Sequence, residues 1–360
     1  MKPISVPVLI PSAPSAEEIF PLLKEIDTNK WYSNNGPLNK RLISLFSNYT
    51  SIDEPNIVTS ANATLALEGA IETSNLEDSY LELPSWTFAA TAHAAVRSGF
   101  NKKFVDVGAD WRSIPTADSN LLIDVLPFGD SMRVQGYPSN LKSVVIDAAA
   151  SFSNLQDIRF LSNVPQAIII SLHSTKLIGA GEGAIFISND AEWAERFRQW
   201  TSFGFDGNRT AQSDGTNAKL SEYAAAIGVA SFEHWQKIQR SYDELTSWAN
   251  STSIRLGLET HPAMSKGLIS PYWIVKFADE HSKLSVSQYL LKNGIQTRNW
   301  WEAGCHKMPA FSQIEFDNLS KTEELASRTL GLPFHLFMTD KVKNYVARNL
   351  EDSLAKISSK

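Results

Sequence analysis

The chain has 360 residues, 43% hydrophobic and 20% charged, a globular composition far from that of disordered chains. Its 33 basic against 39 acidic residues leave a net charge of −6, which speaks against non-specific binding to nucleic acid or to anionic membranes. A lone cysteine, Cys305, excludes an intrachain disulfide and a cysteine-based zinc site, and the longest apolar runs, such as residues 167–170, are too short to cross a bilayer.

Residues 1–18 hold no long apolar core of the signal-peptide kind, so a soluble, cytoplasmic enzyme of about two domains is expected. Short runs rich in Val, Ile, Leu and Phe predict strands at 56–59, 80–83, 103–107, 121–125, 143–146, 167–171 and 184–188. Helices are predicted between them at 63–72, 89–98 and 190–203, the last opening on Asp190 as N-cap. This alternation predicts a mostly parallel sheet with helices on both faces. The strand at 184–188 follows the glycine-rich 179–183 so closely that an antiparallel return is expected there. From residue 220 the pattern changes to a long helix, 220–248, then an apolar strand at 272–277 and helices at 284–292 and 340–357. We expect a large α/β domain over residues 1–235 and a smaller α+β domain over 236–360.

Four stretches carry residues suited to chemistry. Ser171-Leu-His-Ser-Thr-Lys176 leaves an apolar strand and runs into Gly179-Ala-Gly-Glu-Gly183. Open α/β sheets place ligands at such strand ends. Lys176 fits either a desolvated amine that forms a Schiff base or a solvated surface lysine. Val144-Val-Ile-Asp147 ends a strand in a carboxylate, which fits either a turn residue or the counter-charge of a cofactor nitrogen. Thr59-Ser-Ala-Asn-Ala-Thr64 joins strand to helix through small polar residues, a helix cap or an anion cup of backbone amides. Pro84-Ser-Trp86-Thr-Phe88 sets two aromatics past a strand end, for the core or for stacking on a planar ring. Phosphate cup, ring stacker, carboxylate and lysine together describe a pocket for pyridoxal phosphate (PLP), whose phosphate, ring, nitrogen and aldehyde need those groups in turn.

These residues resemble the signature of the DegT/StrS-type PLP-dependent sugar aminotransferases. Ser171–Lys176 with Gly181-Glu-Gly183 is similar to their Ser-Phe-His-x-x-Lys and Gly-Glu-Gly-Gly, and Asp147-Ala-Ala to their Asp-Ala-Ala-Gln. Asn62-Ala-Thr64-Leu-Ala-Leu67 resembles their phosphate loop, and Pro84–Phe88 their aromatic stacker. Gly36-Pro37, Gly215-Thr-Asn217, Gly294-Ile295, His306 and Leu332-Pro-Phe-His335 follow in family order.

The resemblance implies the aspartate-aminotransferase-like architecture (PLP fold type I). It implies that Lys176 forms the Schiff base and shuttles protons, that Asp147 pairs with the ring nitrogen, and that Phe88 stacks on the ring. Ala63, Thr64 and Ser171 would hold the phosphate, and Asn217 would reach the cofactor of a neighbouring subunit in a homodimer with shared active sites. Trp86 and His306 are its candidate substrate contacts. The implied reaction moves an amino group, from glutamate, by way of pyridoxamine phosphate, to the keto group of a nucleotide-linked deoxysugar. The products feed surface polysaccharides or glycosylated metabolites. Four departures stand out: Ala150 replaces the glutamine that helps hold the ring hydroxyl, with Ser151 as a substitute; Ala63 replaces the phosphate-loop glycine but still offers its N–H; Ala184 replaces a glycine; and Thr216, Ala218 and Lys219 alter the loop around Asn217. Two other readings are a PLP-dependent sugar dehydration, whose enzymes carry histidine where Lys176 stands, and a non-catalytic sensor on the same fold. Trp31, Tyr32, Trp300 and Trp301 are either substrate contacts or packing.

Overall fold

The computed structural model describes residues 5–76, 80–116, 119–134, 136–161 and 163–358. They form α1 (Ala16–Asn29), α2 (Pro37–Thr50), β1 (Ile57–Ser60), α3 (Ala63–Glu72), β2 (Tyr80–Pro84), α4 (Ala89–Arg97), β3 (Asn101–Val105), β4 (Leu121–Val125), β5 (Ser143–Asp147), β6 (Gln166–Ser171), β7 (Ala184–Ser188) and α5 (Ala191–Trp200). Then follow α6 (Glu222–Arg255), β8 (Glu259–Thr260), α7 (Pro262–Ser265), β9 (Trp273–Lys276), α8 (Glu280–Lys292), β10 (Glu315–Phe316), α9 (Ser320–Arg328), β11 (Thr329–Leu332) and α10 (Asp340–Ser358).

Eight strands make one sheet in the order β1-β7-β6-β5-β4-β2-β3-β10. Only β7 runs against the rest, paired antiparallel with β6 and β1, as the short glycine-rich connection predicts. Side chains alternate across the pleat, and both faces are buried. In β6, Ile168 and Ile170 enter a core beneath α1, α2 and α6, while Ala167 and Ile169 enter one beneath α3, α4 and α5. In β7, Ile185 and Ile187 face the first core, Ala184 and Phe186 the second. Burial on both sides explains why these strands read as continuous apolar runs. Each fully buried large side chain contributes about 1.5–3 kcal/mol.

α1 and α2 are absent from the expectations above. α1 carries a local signal, a capping box in which Ser15 Oγ accepts from Glu18 N and Glu18 returns the bond to Ser15 N. α2 has no such signal. Its N-cap is Gly36, with no side-chain cap, and its first amides, Leu38 N and Asn39 N, donate to the buried carboxylate of Glu222 on α6 at 2.8 and 3.0 Å. A Cβ on Gly36 would collide with that carboxylate.

β8, β9 and β11 form a separate antiparallel sheet. The proposed division between residues 235 and 236 falls within α6. The N-terminal half of α6 packs on α2 through Phe232 and Phe46. Its C-terminal half packs on the small sheet through Trp248 and Trp273, and Ser253 Oγ accepts from the Trp273 indole at 2.9 Å. Residues 305–319 return to the large sheet, with Cys305, Phe311, Ile314 and Leu319 in the core under α3–α5 and β10 pairing parallel with β3.

Candidate active site

Five connections at the carboxyl end of the large sheet, after β1, β2, β4, β5 and β6, line a cavity of about 680 Å³, together with Tyr272 just before β9 and Arg298, Trp300 and Trp301 from the loop after α8. That volume lies in the usual range for small-molecule pockets.

Asp147, the last residue of β5, is 6% exposed. Its Oδ1 accepts from Ala149 N at 3.1 Å, and its Oδ2 accepts from Thr91 Oγ1 at 2.6 Å. The Ala149 bond is the turn contact expected of an aspartate at this position, and the same carboxylate lines the cavity. Thr91 gives its proton to Asp147, so the 2.9 Å contact between Thr87 and Thr91 has Thr87 as donor. This relay runs one turn along α4 and was not foreseen; two threonines at i and i+4 across a helix start are its only sequence trace. Burial raises the Asp147 pKa, while Thr91, Ala149 and the charge of Lys176 oppose the rise. A buried carboxylate of this kind is stabilised by a cation placed beside it.

Lys176 lies in the connection from β6 to β7. That loop is stapled by Ser174 N to Gly181 O at 3.0 Å, Lys176 N to His173 O at 2.8 Å and Ala180 N to Leu172 O at 2.7 Å. His173 Nδ1 accepts from Thr175 N at 3.2 Å and meets the Thr175 hydroxyl at 2.8 Å. Gly181 has φ +81°, a left-handed conformation that glycine adopts at little cost. The half-buried Lys176 points into the cavity, where its Nζ donates to the Tyr272 phenol at 3.1 Å. Ser171 lines the cavity too, its Oγ accepting from His173 N at 3.2 Å.

Asn62 caps α3 by accepting from Leu65 N at 2.9 Å. Ala63 and Thr64 open that helix on the cavity. First-turn amides have no acceptor within their own helix, and the helix dipole favours an anion there. Phe88, the N-cap of α4, is 63% exposed and presents its ring at the cavity.

Trp86, two residues earlier, turns the other way. It is 1% exposed, sealed edge-on between Trp111 and Trp301, and absent from the cavity lining. His306 is also buried away from the cavity. Its Nδ1 lies 2.7 Å from Ser85 Oγ, its Nε2 is 3.5 Å from Glu323, and burial pushes its pKa down. Together with Cys305, whose N–H donates to Ser85 O at 2.9 Å, it braces the loop that presents Phe88. Asn217 is exposed, accepts from Lys219 Nζ at 2.7 Å and stands outside the cavity of its own chain. Ser151, the expected substitute at the Ala150 departure, is fully buried with its hydroxyl on Leu126 O at 3.4 Å.

The facing wall consists of Phe128, Tyr272, Trp300 and Trp301, with Arg298 at the rim. Phe128 and Trp301 stack at 4.4 Å and 16°, Tyr272 and Trp300 meet at 4.5 Å, and the Arg298 guanidinium lies 5.0 Å from the Trp300 ring. Phe128 and Trp301 have φ of 56° and 64°, costly for bulky residues and tolerated where the surroundings over-determine them, often at functional sites. Gly331 on β11 makes room for the wall, since a Cβ there would strike the Trp300 indole. Tyr272 and Arg298 were not foreseen.

The donor set fits pyridoxal phosphate: a helix start with free amides, an exposed flat ring, a buried carboxylate and an amine around one cavity. The family model for DegT/DnrJ/EryC1/StrS aminotransferases matches residues 14–119 and 139–351. A dTDP-4-amino-4,6-dideoxy-D-glucose transaminase from Shigella dysenteriae is 25% identical over 361 aligned positions, 95% of this chain and 97% of that protein. Two solved structures share the fold. DesI in the presence of its TDP-sugar product has a TM-score of 0.83 at 24% identity, over 100% of this chain and 95% of that one. The NtdA protein of Bacillus subtilis with bound cofactor PMP has a TM-score of 0.80 at 18% identity, over 94% and 82%. The chain belongs to the DegT/DnrJ/EryC1/StrS aminotransferase family, with the PLP-dependent aminotransferase fold and pyridoxal phosphate as its cofactor.

Proposed function

We propose that this aminotransferase moves an amino group from glutamate to the keto group of a nucleotide-linked deoxysugar. It would act in the cytoplasm as a homodimer whose Asn217 reaches the neighbouring subunit's cofactor. The observation that carries the reading is the placement of Lys176 and Asp147 at the ends of the adjacent strands β6 and β5, facing one cavity. The cavity has room for more than the cofactor, and its aromatic wall suits a sugar ring.

Pyridoxal phosphate, when bound, supplies an aldehyde that condenses with amines and a ring that withdraws electrons. Asp147, held by Thr91 and Ala149, would pair with the ring nitrogen and keep it protonated, so sustaining that withdrawal. The amides of Ala63 and Thr64, with Ser171, would hold the phosphate, and Phe88 would stack on the ring. Lys176 would hold the cofactor through its amine and, as general base and acid, would hold and move a proton between the donor's α-carbon and the aldehyde carbon. The same lysine runs the steps in reverse with the keto sugar. Phe128, Trp300 and Trp301 exclude water and orient the acceptor, and Arg298 offers a cation to its diphosphate.

An absorbance spectrum of the PLP-loaded protein tests this directly. Glutamate is expected to replace the visible band with a near-ultraviolet one, and a nucleotide keto-sugar to restore it. A visible band untouched by glutamate would remove glutamate as donor. A band that no nucleotide keto-sugar restores would remove that acceptor class.

A further inference from the structure

We propose that Tyr272 fills the gap left at Ala150, donating its phenol proton to the cofactor's ring hydroxyl oxygen while fixing the amine of Lys176. This rests on the reading of Lys176 as the cofactor's anchor.

Position 150 offers only a methyl group to the cavity. The nearby hydroxyls are committed elsewhere: Ser151 to Leu126 O, and Thr87 and Thr91 to the Asp147 relay. Tyr272 Oη lies 3.1 Å from Lys176 Nζ and accepts its proton, which leaves the phenol proton to be donated. In pyridoxal phosphate the ring hydroxyl is on the carbon next to the one bearing the aldehyde. A donor beside the amine that captures the aldehyde is therefore beside that hydroxyl.

The phenol is held where this role needs it. Tyr272 is 7% exposed, its ring packed against Trp300 and edge-on to Phe128 at 6.1 Å. Its N–H donates to Ser270 Oγ at 3.1 Å, and its carbonyl accepts from His261 Nε2 at 3.1 Å. Ser270 Oγ is also 2.8 Å from Phe128 O, tying the tyrosine to the rest of the wall. Such bracing of backbone and ring fixes a reactive group's position.

The test is Tyr272→Phe, which keeps the packing ring and removes only the hydroxyl, read by PLP affinity and by a pH titration of the loaded protein's visible band. A phenol donating to the ring oxygen favours the form in which that oxygen carries full negative charge, the form that has lost its proton. The midpoint is therefore expected to rise by about one pH unit in Tyr272→Phe, with PLP binding weakened about tenfold. Adding Ala150→Gln to that variant is expected to bring the midpoint back toward its original value. An unchanged midpoint and affinity in Tyr272→Phe would overturn the proposal, as would a shifted midpoint that Ala150→Gln leaves where it is. Lys176→Ala separates the two readings. Loss of the visible band there upholds the anchor, whereas a band that survives would remove the anchor and this inference with it.

Discussion

One wall of the cavity consists of residues within a few positions of a strand end: Asn62 to Thr64 after β1, Phe88 after β2, Asp147 closing β5, and Lys176 after β6. The opposite wall joins Phe128, three residues past β4, to Tyr272, Trp300 and Trp301 from connections far away in sequence, and is held by stacking, by left-handed backbone and by the bare Cα of Gly331. The first wall has the groups a cofactor needs, each positioned by a hydrogen-bonded turn. The second has area and shape, which is what separates one acceptor from another. The division this suggests is chemistry on the strand side and selection on the aromatic side, with Tyr272, which meets Lys176, shared between them.

The largest expected effect tests the first half of that division. Lys176→Ala should lower turnover by a factor on the order of 10⁴ with every acceptor, measured as steady-state rate. A variant of near-normal activity would put the chemistry elsewhere. Asp147→Asn follows, with turnover down about 10²–10³-fold as the hold on the ring proton is lost. The same change should leave the cofactor-free protein at pH 7 at least as stable. The folded-state pKa of Asp147 is raised, so its favourable contribution is present below the unfolded value and lost as pH rises through the folded one. Thermal unfolding with and without PLP would show the wild type gaining more from the cofactor.

The second half is tested by Trp300→Ala. It should raise the acceptor's KM about tenfold, the scale of one lost aromatic contact, and slow the reaction with the amino donor alone by less, since Tyr272 keeps its backbone ties to Ser270 and His261. If the donor step slows equally, the wall is not a selector and the comparison fails.

A smaller effect concerns what holds the wall. His261 is fully buried, its pKa pushed down by burial to about 4. Unfolded, it binds its proton near pH 6.5. Its contribution is complete above that value and lost as pH falls toward 4, amounting to about 2–3 kcal/mol at pH 4.5. Urea unfolding at pH 7 and 4.5 should show that loss in the wild type and less of it in His261→Gln. Smallest of all is Phe88→Ala, expected to weaken PLP about fivefold without shifting the unfolding midpoint, since a ring 63% exposed contributes little to the core.

The strand-end residues were legible because strand, turn and functional side chain are contiguous: the apolar run that makes β6 buried on both faces also says where it stops, and Lys176 follows. Thr91 was less visible, since its role depends on a helix start placing it over the end of β5. The residues alone left Trp86 and Phe88 equivalent and only the family resemblance favoured Phe88, because which of two aromatics turns inward depends on Trp111 and Trp301, 25 and 215 residues from Trp86 in sequence.

The amino-acid sequence by itself determined the alternation of buried strands and helices, the antiparallel return at β7 and the run of lysine, carboxylate and amide cup at strand ends, since local pattern and turn chemistry decide each of these. Tertiary structure alone decided that Glu222 caps α2, that His306 braces a loop rather than lining the cavity, and that Tyr272 meets Lys176 across 96 residues. Those contacts join segments with no local pattern between them. They exist only because the tertiary packing of α6 on α2, of residues 305–319 on the large sheet and of the segment before β9 on the loop after β6 brings these groups within hydrogen-bond reach.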